Sequence, residues 1–332
     1  MLRDHIERLV QRHDLTPEEM AEVMGIVMDG KAPPMQVAGL LMALRSKGET
    51  VGEVVGAARA MRERVLRPPL AVAPLLDTCG TGGDGSGSIN ISTAAALIAA
   101  SAGATVAKHG NRSISSKSGS ADLLDALKIP TDLNPEAAAK AIQTNGFAFL
   151  FAPLYHPAMK AVMPVRRELV VRTVFNILGP LTNPAGARTQ LVGVPNSGLA
   201  EKMALALRDL GLERGMVVTS RSGMDEISPN GETMAYELRD GKISQRIISA
   251  ADFGLAPAPP ESIRGGDPSE NAAIIRAVLG GDPHPARTAI VMNTGAALYV
   301  AGLANTLEEG ARLAERTIDS GAVTAKLKAL AS

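Results

Sequence analysis

Residues 75–93 read LLDTCGTGGDGSGSINIST, and this stretch decides the fold. Leu75–Asp77 reads as the end of a buried strand. Gly80, Gly82, Gly83, Gly85 and Gly87 then crowd into nine residues, and a helix opens near Asn90–Thr93. Strand, glycine-rich turn and helix N-terminus in that order make an anion site. Glycine lets backbone N–H groups approach a phosphate, and the helix end adds its own unpaired N–H groups. Ser86, Ser88, Asn90, Ser92 and Thr93 put short polar side chains around the same point.

The charge pattern downstream supports this reading. From Gly85 to Ala121 there is no Asp or Glu, although the chain has 34 of them, while Lys108, His109, Arg112 and Lys117 all fall there. A helix over 91–103 and a short strand near 104–107 return the chain to the sheet edge. A second donor-rich loop, KHGNRSISSKSGS (108–120), therefore sits beside the first at strand C-terminal ends. Such a pair suits a ligand with several phosphates.

Other phosphate readings fail. GTGGDG (80–85) satisfies G-x-G-x-x-G, but a dinucleotide site wants an acid about 20 residues further on, and that position lies in the acid-free stretch. The P-loop spacing is absent, since neither Lys108 nor Lys117 follows a suitable glycine pair. The plain alternative is a purely structural glycine turn, and the charge pattern weighs against it.

At 332 residues the chain has room for two domains and a large core. Lys+Arg and Asp+Glu are equal at 34 each and the pI is about 7.0, which argues against general nucleic-acid or anionic-membrane binding. No Trp, three Tyr and five Phe leave no stacking platform for single strands. The single cysteine, Cys79, cannot form an intrachain disulfide and fits a reducing compartment. It reads as a small buried residue rather than a nucleophile. MLRDHIERLV is no signal peptide. The weakly polar run Ala94–Ala107 is too short to span a bilayer, so a soluble cytoplasmic protein is expected.

Residues 1–66 read as four helices. Leu2, Ile6, Leu9 and Val10 form one apolar stripe, and Thr16-Pro17-Glu18-Glu19 is an N-cap with proline and acids in the first turn. Pro33-Pro34 starts a third helix bearing Val37, Leu40, Leu41 and Leu44, Gly48 ends it, and Val51–Val65 makes a fourth. Their apolar surface suggests packing on a second subunit as well as on the core. Pro68-Pro69 leads into alternating strands and helices. The expected helices are Gly119–Leu127, 135–145 behind an Asn134-Pro135 cap, a long one over Lys160–Leu178, Leu199–Leu210, and three within 268–328. The expected strands are FAFLF (147–151), QLVGV (190–194) and MVVTS (216–220). Asp240-Gly241 joins a hairpin. The fold class is α/β, with N-terminal helices followed by a region of alternating strands and helices.

A polyphosphate usually arrives with Mg²⁺, which needs only one or two protein carboxylates. Asp225 and Glu226, in SRSGMDEIS, follow the strand 216–220 and so reach the glycine-loop rim if the sheet is parallel there. The alternative is an acidic surface turn. Arg166 and Arg167, in MPVRREL, begin the long helix; one could hold a carboxylate bidentately while the other faces solvent.

DTCGTGGDGSGSINIST, AKHGNRSISSKSGSADLLDAL, HPAMKAVMPVRRELVVRTVFNILGPLTNPA and GMDEIS together resemble the anthranilate phosphoribosyltransferase family, through essentially the whole chain. Pyrimidine nucleoside phosphorylases share the GTGG turn and the fold but lack the KHGNR-type loop and MPVR. The resemblance implies transfer of phosphoribosyl from 5-phosphoribosyl-1-diphosphate (PRPP) to the amine of anthranilate, the second step of tryptophan biosynthesis from chorismate, with Mg²⁺. It implies a small helical domain from 1–68 joined by about 167–186, and a large α/β domain from 69–166 and 187–332 holding a mixed, mainly parallel sheet flanked by helices. It further implies a homodimer through the helical domain and, as protein partner, the amidotransferase of anthranilate synthase.

Carried over by position, Gly80, Gly83, Asp84, Ser88, Asn90, Ile91, Ser92 and Thr93 would bind PRPP. So would Lys108, His109, Gly110, Asn111, Arg112, Ser113, Ile114, Ser115, Ser116 and Ser120. Ser92, Asp225 and Glu226 would hold magnesium. Gly80, Asn111 and Arg166 would contact anthranilate, with His109 and His156-Pro157 bordering its path. Lys128 stands where relatives often have glycine, which touches only a helix end. No residue is assigned as general acid or base. A nucleoside phosphorylase and a non-catalytic phosphate or nucleic-acid binder are the competing readings.

Overall fold

The computed structural model describes residues 2–70, 74–113 and 117–331. Four helices come first: α1 (Arg3–Val10), α2 (Pro17–Met28), α3 (Pro34–Lys47) and α4 (Val51–Glu63). Two of their starts are written locally. Thr16 Oγ1 accepts from Glu19 N while the Glu19 carboxylate accepts from Thr16 N, and Thr50 and Glu53 repeat the exchange at α4. Glu53 is fully buried, and Leu15 N and Lys47 Nζ supply donors to its two oxygens. A buried carboxylate is tolerable there because it is paired and hydrogen-bonded.

The α/β part follows in the order β1 (Leu76–Gly80), α5 (Ile91–Ser101), β2 (Val106–Gly110), α6 (Ser120–Ala126), α7 (Pro135–Asn145), β3 (Phe147–Phe151), α8 (Ala152–Tyr155), α9 (Met163–Leu169), β4 (Thr189–Gly193), α10 (Ser197–Asp209), β5 (Arg214–Ser220), β6 (Thr233–Arg239) and β7 (Lys242–Ile248). It closes with α11 (Pro268–Leu279), α12 (Arg287–Ala301), α13 (Leu307–Asp319) and α14 (Ala322–Leu330). The strands form one sheet, β3-β2-β1-β4-β5-β6-β7. The first five are parallel, and β6 and β7 run antiparallel. Asp240 and Gly241 join β6 to β7 with φ of 51° and 73°, the pair of left-handed residues a tight hairpin turn requires.

The sheet is covered on both faces, so its parallel strands read as apolar runs. On one face α5 and α12 pack together, and every residue of α12 from Ala289 to Leu298 is buried. On the other face α10 packs on α4. There Val54 and Leu44 share one core with Val165, Phe175, Val192 and Met203, which ties the N-terminal helices to the sheet.

Two expectations need correction. Lys160–Leu178 is not one helix. A 3₁₀ turn (Pro157–Ala161) leads into α9, Val170 turns left-handed with φ 52°, and 3₁₀ turns follow at Val174–Asn176 and Gly179–Leu181. Four of the five residues Val170–Val174 are β-branched, which weakens helix propensity, and burial of Thr173, Val174 and Phe175 is met by a tighter turn instead. The C-terminal region holds four helices rather than three, because Gly321 (φ 77°) makes a sharp break between α13 and α14. No described helix is long and apolar enough to cross a membrane.

Candidate active site

The strand order puts the C-terminal ends of β2, β1, β4 and β5 on one rim. The glycine loop leaves β1 there, and the Asp225–Glu226 turn follows β5, one strand beyond β4. The turn reaches back across β4 to the loop. Gly82 N donates to Asp225 Oδ2 at 2.8 Å, Ser92 N to Glu226 Oε1 at 3.0 Å, and Asp225 N to Asp84 Oδ2 at 3.3 Å. This approach needs bare backbone beneath it. A Cβ on Gly193 would lie 1.6 Å from Asp225 O, and one on Gly80 would lie 2.5 Å from Asp225 Oδ2.

The remainder of the glycine loop is braced from the far side of the sequence. Ile89 N donates to Ile263 O, Gly265 N to Gly87 O at 2.8 Å, and Ser88 bridges Arg264. Asn90 holds the second loop. Its Nδ2 donates to Ser118 O at 3.1 Å, and its Oδ1 accepts from Ser118 Oγ and Asn271 Nδ2. Ile91 and Thr93 are buried in the first turn of α5, and Thr78 Oγ1 donates to Ser92 O.

The second loop is organised by an acid. Asp122 accepts from Ser113 N at 3.0 Å, from Gly119 N at 2.9 Å and from Arg112 Nη1 at 2.9 Å, and Arg112 also pairs with Asp125 at 2.6 Å. Ser120 Oγ donates to Asn111 O at the loop's exit. Ile114, Ser115 and Ser116 lie outside the described residues. Lys108 and His109 belong to β2 and are buried. Lys108 Nζ donates to Thr78 O, so its charge acts beneath the rim rather than at its surface, and burial lowers its pKa.

Asp225 and Glu226 share a desolvated corner. Burial, then the neighbouring Asp84, pushes Asp225 up to about 6; burial, then Asp225, pushes Glu226 up to about 8. Crowded carboxylates of this kind gain from a bound cation, and their all-oxygen donor set suits magnesium. Among the described residues no three His, Cys, Asp or Glu form a metal cage.

On the neighbouring side, Arg166 projects from α9 with its guanidinium 5.5 Å from the Phe175 ring centroid, and no carboxylate pairs with it among the described residues. Burial lowers its pKa. Arg167 is exposed. His109 and His156 face each other with Nε2 atoms 3.2 Å apart, and His109 Nδ1 lies 3.1 Å from Gly179 O. The carbonyl can only accept, so His109 carries its proton on Nδ1 and His156 donates from Nε2. Burial, then repulsion from His156, holds His109 at about 3, and burial holds His156 at about 4. Cys79 is half-buried against the core, and burial raises its thiol pKa well above the usual value, which leaves no thiolate nucleophile.

Residues 3–65 match the glycosyl transferase family helical bundle domain, and residues 72–324 match the glycosyl transferase family a/b domain. The anthranilate phosphoribosyltransferase of Solibacter usitatus is 53% identical over 332 residues, 99% of this chain and 98% of the relative. That of Thioalkalivibrio sulfidiphilus is 50% identical, over 100% of this chain and 98% of the relative. The chain belongs to the anthranilate phosphoribosyltransferase family. Its fold is that of the family's crystal structure from Thermus thermophilus, with a TM-score of 0.93 at 44% identity over 98% of each chain. The Saccharomyces cerevisiae member solved in complex with PRPP and Mg superposes with a TM-score of 0.90 at 28% identity, covering 98% of this chain and 96% of that one. The same yeast enzyme has been solved in complex with 4-fluoroanthranilate, with a TM-score of 0.88 at 27% identity, covering 99% and 96%.

Beside the residues expected from the family motifs, the site uses others that sequence reasoning did not single out. Asp122 was legible in principle, as an acid three positions after Gly119 at a helix start. Asn271, the 263–265 segment and Arg172 carried no local signal, since each meets the loops from far along the chain.

Proposed function

We propose that this protein transfers the phosphoribosyl group of PRPP to the amine of anthranilate, giving N-(5-phosphoribosyl)anthranilate and diphosphate. The observation that carries the reading is the meeting of Asp225 and Glu226 with the N–H groups of Gly82 and Ser92 on one rim. The carboxylates for a divalent cation are thereby fixed against the glycine loop, where the N–H groups of Gly83 and Asp84 have no acceptor among the described residues, which suits a magnesium-bound diphosphate ester. The relatives' names and the yeast complexes with PRPP, Mg and 4-fluoroanthranilate support the same reaction.

In this reading Gly80, Gly83, Asp84, Ser88 and Asn90 to Thr93 bind PRPP together with residues 108–116 and Ser120. Ser92, Asp225 and Glu226 hold magnesium, which when bound neutralises charge on the departing diphosphate. Arg166 takes the anthranilate carboxylate, with Asn111 and Gly80 beside the ring. The C1–oxygen bond to diphosphate breaks, the amine nitrogen bonds to C1, and the nitrogen loses a proton to water or a phosphate oxygen. The chain's share is to fix the loops, exclude water from the oxocarbenium-like C1 and align a weak aryl amine.

The division into 1–68 with 167–186 and the remaining α/β part belongs to this reading. So do cytoplasmic residence, the amidotransferase partner and a homodimer through the helical part. Val10, Met35 and Met42 leave apolar surface exposed there, Met35 by 84%, which supports a covering subunit. The test of function follows anthranilate fluorescence with PRPP and Mg²⁺ each present or omitted. Loss of signal only with both supports the transferase; phosphorolysis of nucleosides without anthranilate turnover would replace it.

A further inference from the structure

The Arg172 side chain lies on the glycine loop from the side of α9. Its Nη1 donates to Gly83 O at 2.9 Å and its Nη2 to Gly82 O at 2.8 Å. A trans peptide is planar, so its C=O and N–H point in opposite directions. Holding those two carbonyls therefore turns the next two N–H groups, of Gly83 and Asp84, away from the guanidinium. Among the described residues neither N–H has an acceptor within the chain, whereas Thr81 N and Gly82 N are taken by Gly193 O and Asp225. Both glycines are left-handed, with φ of 67° and 72°, and a Cβ on Gly83 would fall 2.5 Å from Arg172 Nη1.

The lever behind this contact is itself constrained. Val170, with φ 52°, is a β-branched residue in a conformation such residues rarely adopt, and it is 86% exposed. Immediately after Arg172, the residues Thr173, Val174 and Phe175 are buried. Arg172 is thus held between a strained turn and a buried anchor. The same short segment carries Arg166 over the ring of Phe175.

We infer that Arg172 is a positioning residue for diphosphate binding: it clamps the carbonyls of Gly82 and Gly83 and so presents the N–H groups of Gly83 and Asp84 to the phosphates. It acts through the loop and does not touch the reacting atoms. The inference rests on the PRPP reading of the glycine loop given above. It also makes the segment that bears Arg166 the same one that sets the phosphate loop, so the two substrate subsites share a mechanical connection.

The test compares wild type, Arg172→Ala and Arg172→Lys. The expected result for Arg172→Ala is a PRPP KM raised about tenfold, from loss of two partly exposed charge-assisted hydrogen bonds. Its anthranilate KM should stay within about twofold, since no anthranilate contact is removed. Arg172→Lys can reach one carbonyl at a time and should fall between the two, which keeps the test alive if the alanine variant does not fold. Calorimetric titration with inorganic diphosphate and Mg²⁺ on the same proteins should show the same order of affinities. A PRPP constant unchanged in folded Arg172→Ala, or equal to wild type in Arg172→Lys, overturns the clamp. So do equal rises in both Michaelis constants, which would mean a general distortion. If wild type fails to turn over anthranilate but binds diphosphate in an Arg172-dependent way, the transferase reading falls and the clamp stands. If wild type binds neither PRPP nor diphosphate, both fall.

Discussion

The two donor-rich loops on the rim are alike in composition and opposite in construction. In the glycine loop the side chains are small and the protein braces carbonyls, through Arg172 on Gly82 and Gly83 and through Gly265 on Gly87, and the amides of Gly83 and Asp84 have no acceptor among the described residues. In the second loop, Asp122 consumes the amides of Ser113 and Gly119 and, with Asp125, neutralises Arg112. Donor count is therefore a poor guide to phosphate binding. What matters is which donors the fold has already spent.

The sharpest way to break this contrast is to remove the acids between the loops. Asp225→Asn with Glu226→Gln should lower kcat/KM by about 10²–10³-fold and shift the magnesium requirement upward, because charge stabilisation of the leaving group is lost. Identical Mg²⁺ titrations would take both residues out of the metal site. Arg166→Ala comes next: the anthranilate KM should rise about ten- to hundredfold, the worth of a charged hydrogen bond, with a much smaller change for PRPP. An unchanged constant would give the anthranilate carboxylate to another residue.

Asp122→Ala tests the second loop directly. Three hydrogen bonds are lost at a half-buried site, so stability in chemical denaturation should drop by about 1–3 kcal/mol. If Arg112 were already spent in wild type, its release should leave the PRPP KM changed by no more than a few-fold. A large loss of PRPP affinity with unchanged stability would reverse the contrast drawn above.

The histidine pair predicts a pH effect away from the loops. Both rings are neutral when folded, at about 3 and about 4, while free histidine titrates near 6.5. Below that pH the unfolded chain binds protons that the folded chain does not. The stability from this pair is therefore complete above pH ~6.5 and is lost as pH falls to about 4 for His156 and about 3 for His109, at most about 1.4 kcal/mol per pH unit for each histidine. Thermal unfolding of His109→Asn with His156→Asn should show a flatter slope over that window than wild type. Smallest of all, Val170→Gly should raise stability by about 0.5–1 kcal/mol, since relief of a left-handed β-branched residue exceeds the entropy cost of glycine. A drop in melting temperature would mean the valine is not strained.

Much of this was legible from residues that act locally. Phe147–Phe151 falls where the apolar run placed it, and the Asp240-Gly241 turn joins two strands as its residue types demand. Thr16, Thr50 and Asn134 cap helices through side chains that bond within three residues. The failures are of two physical kinds. At Val170–Val174, helical periodicity was present but β-branching and burial favoured tighter turns. At the second loop, the acid-free stretch ended one residue before Asp122, and the loop's fold brings that acid back onto it. Within the site, the Asp225–Glu226 turn could be placed on the rim because it follows the strand 216–220, given a parallel sheet there, and β5 is parallel to β4 and β4 to β1. Its crossing of Gly193 could not, because nothing in the sequence says that β4 lies between β1 and β5.

That inserted strand has a consequence for how the molecule comes into being. The contact between Gly82 and Asp225 spans 143 residues, and β4 lies between β1 and the strand β5 that carries the acids. Closing so large a loop is entropically slow, and contacts of this kind form late. As the chain leaves the ribosome, the glycine turn is made long before the carboxylates that complete it. The half-made sheet meanwhile exposes the edge of β1 to whatever strand arrives. The candidate site is thus completed by residues synthesised well after its first loop.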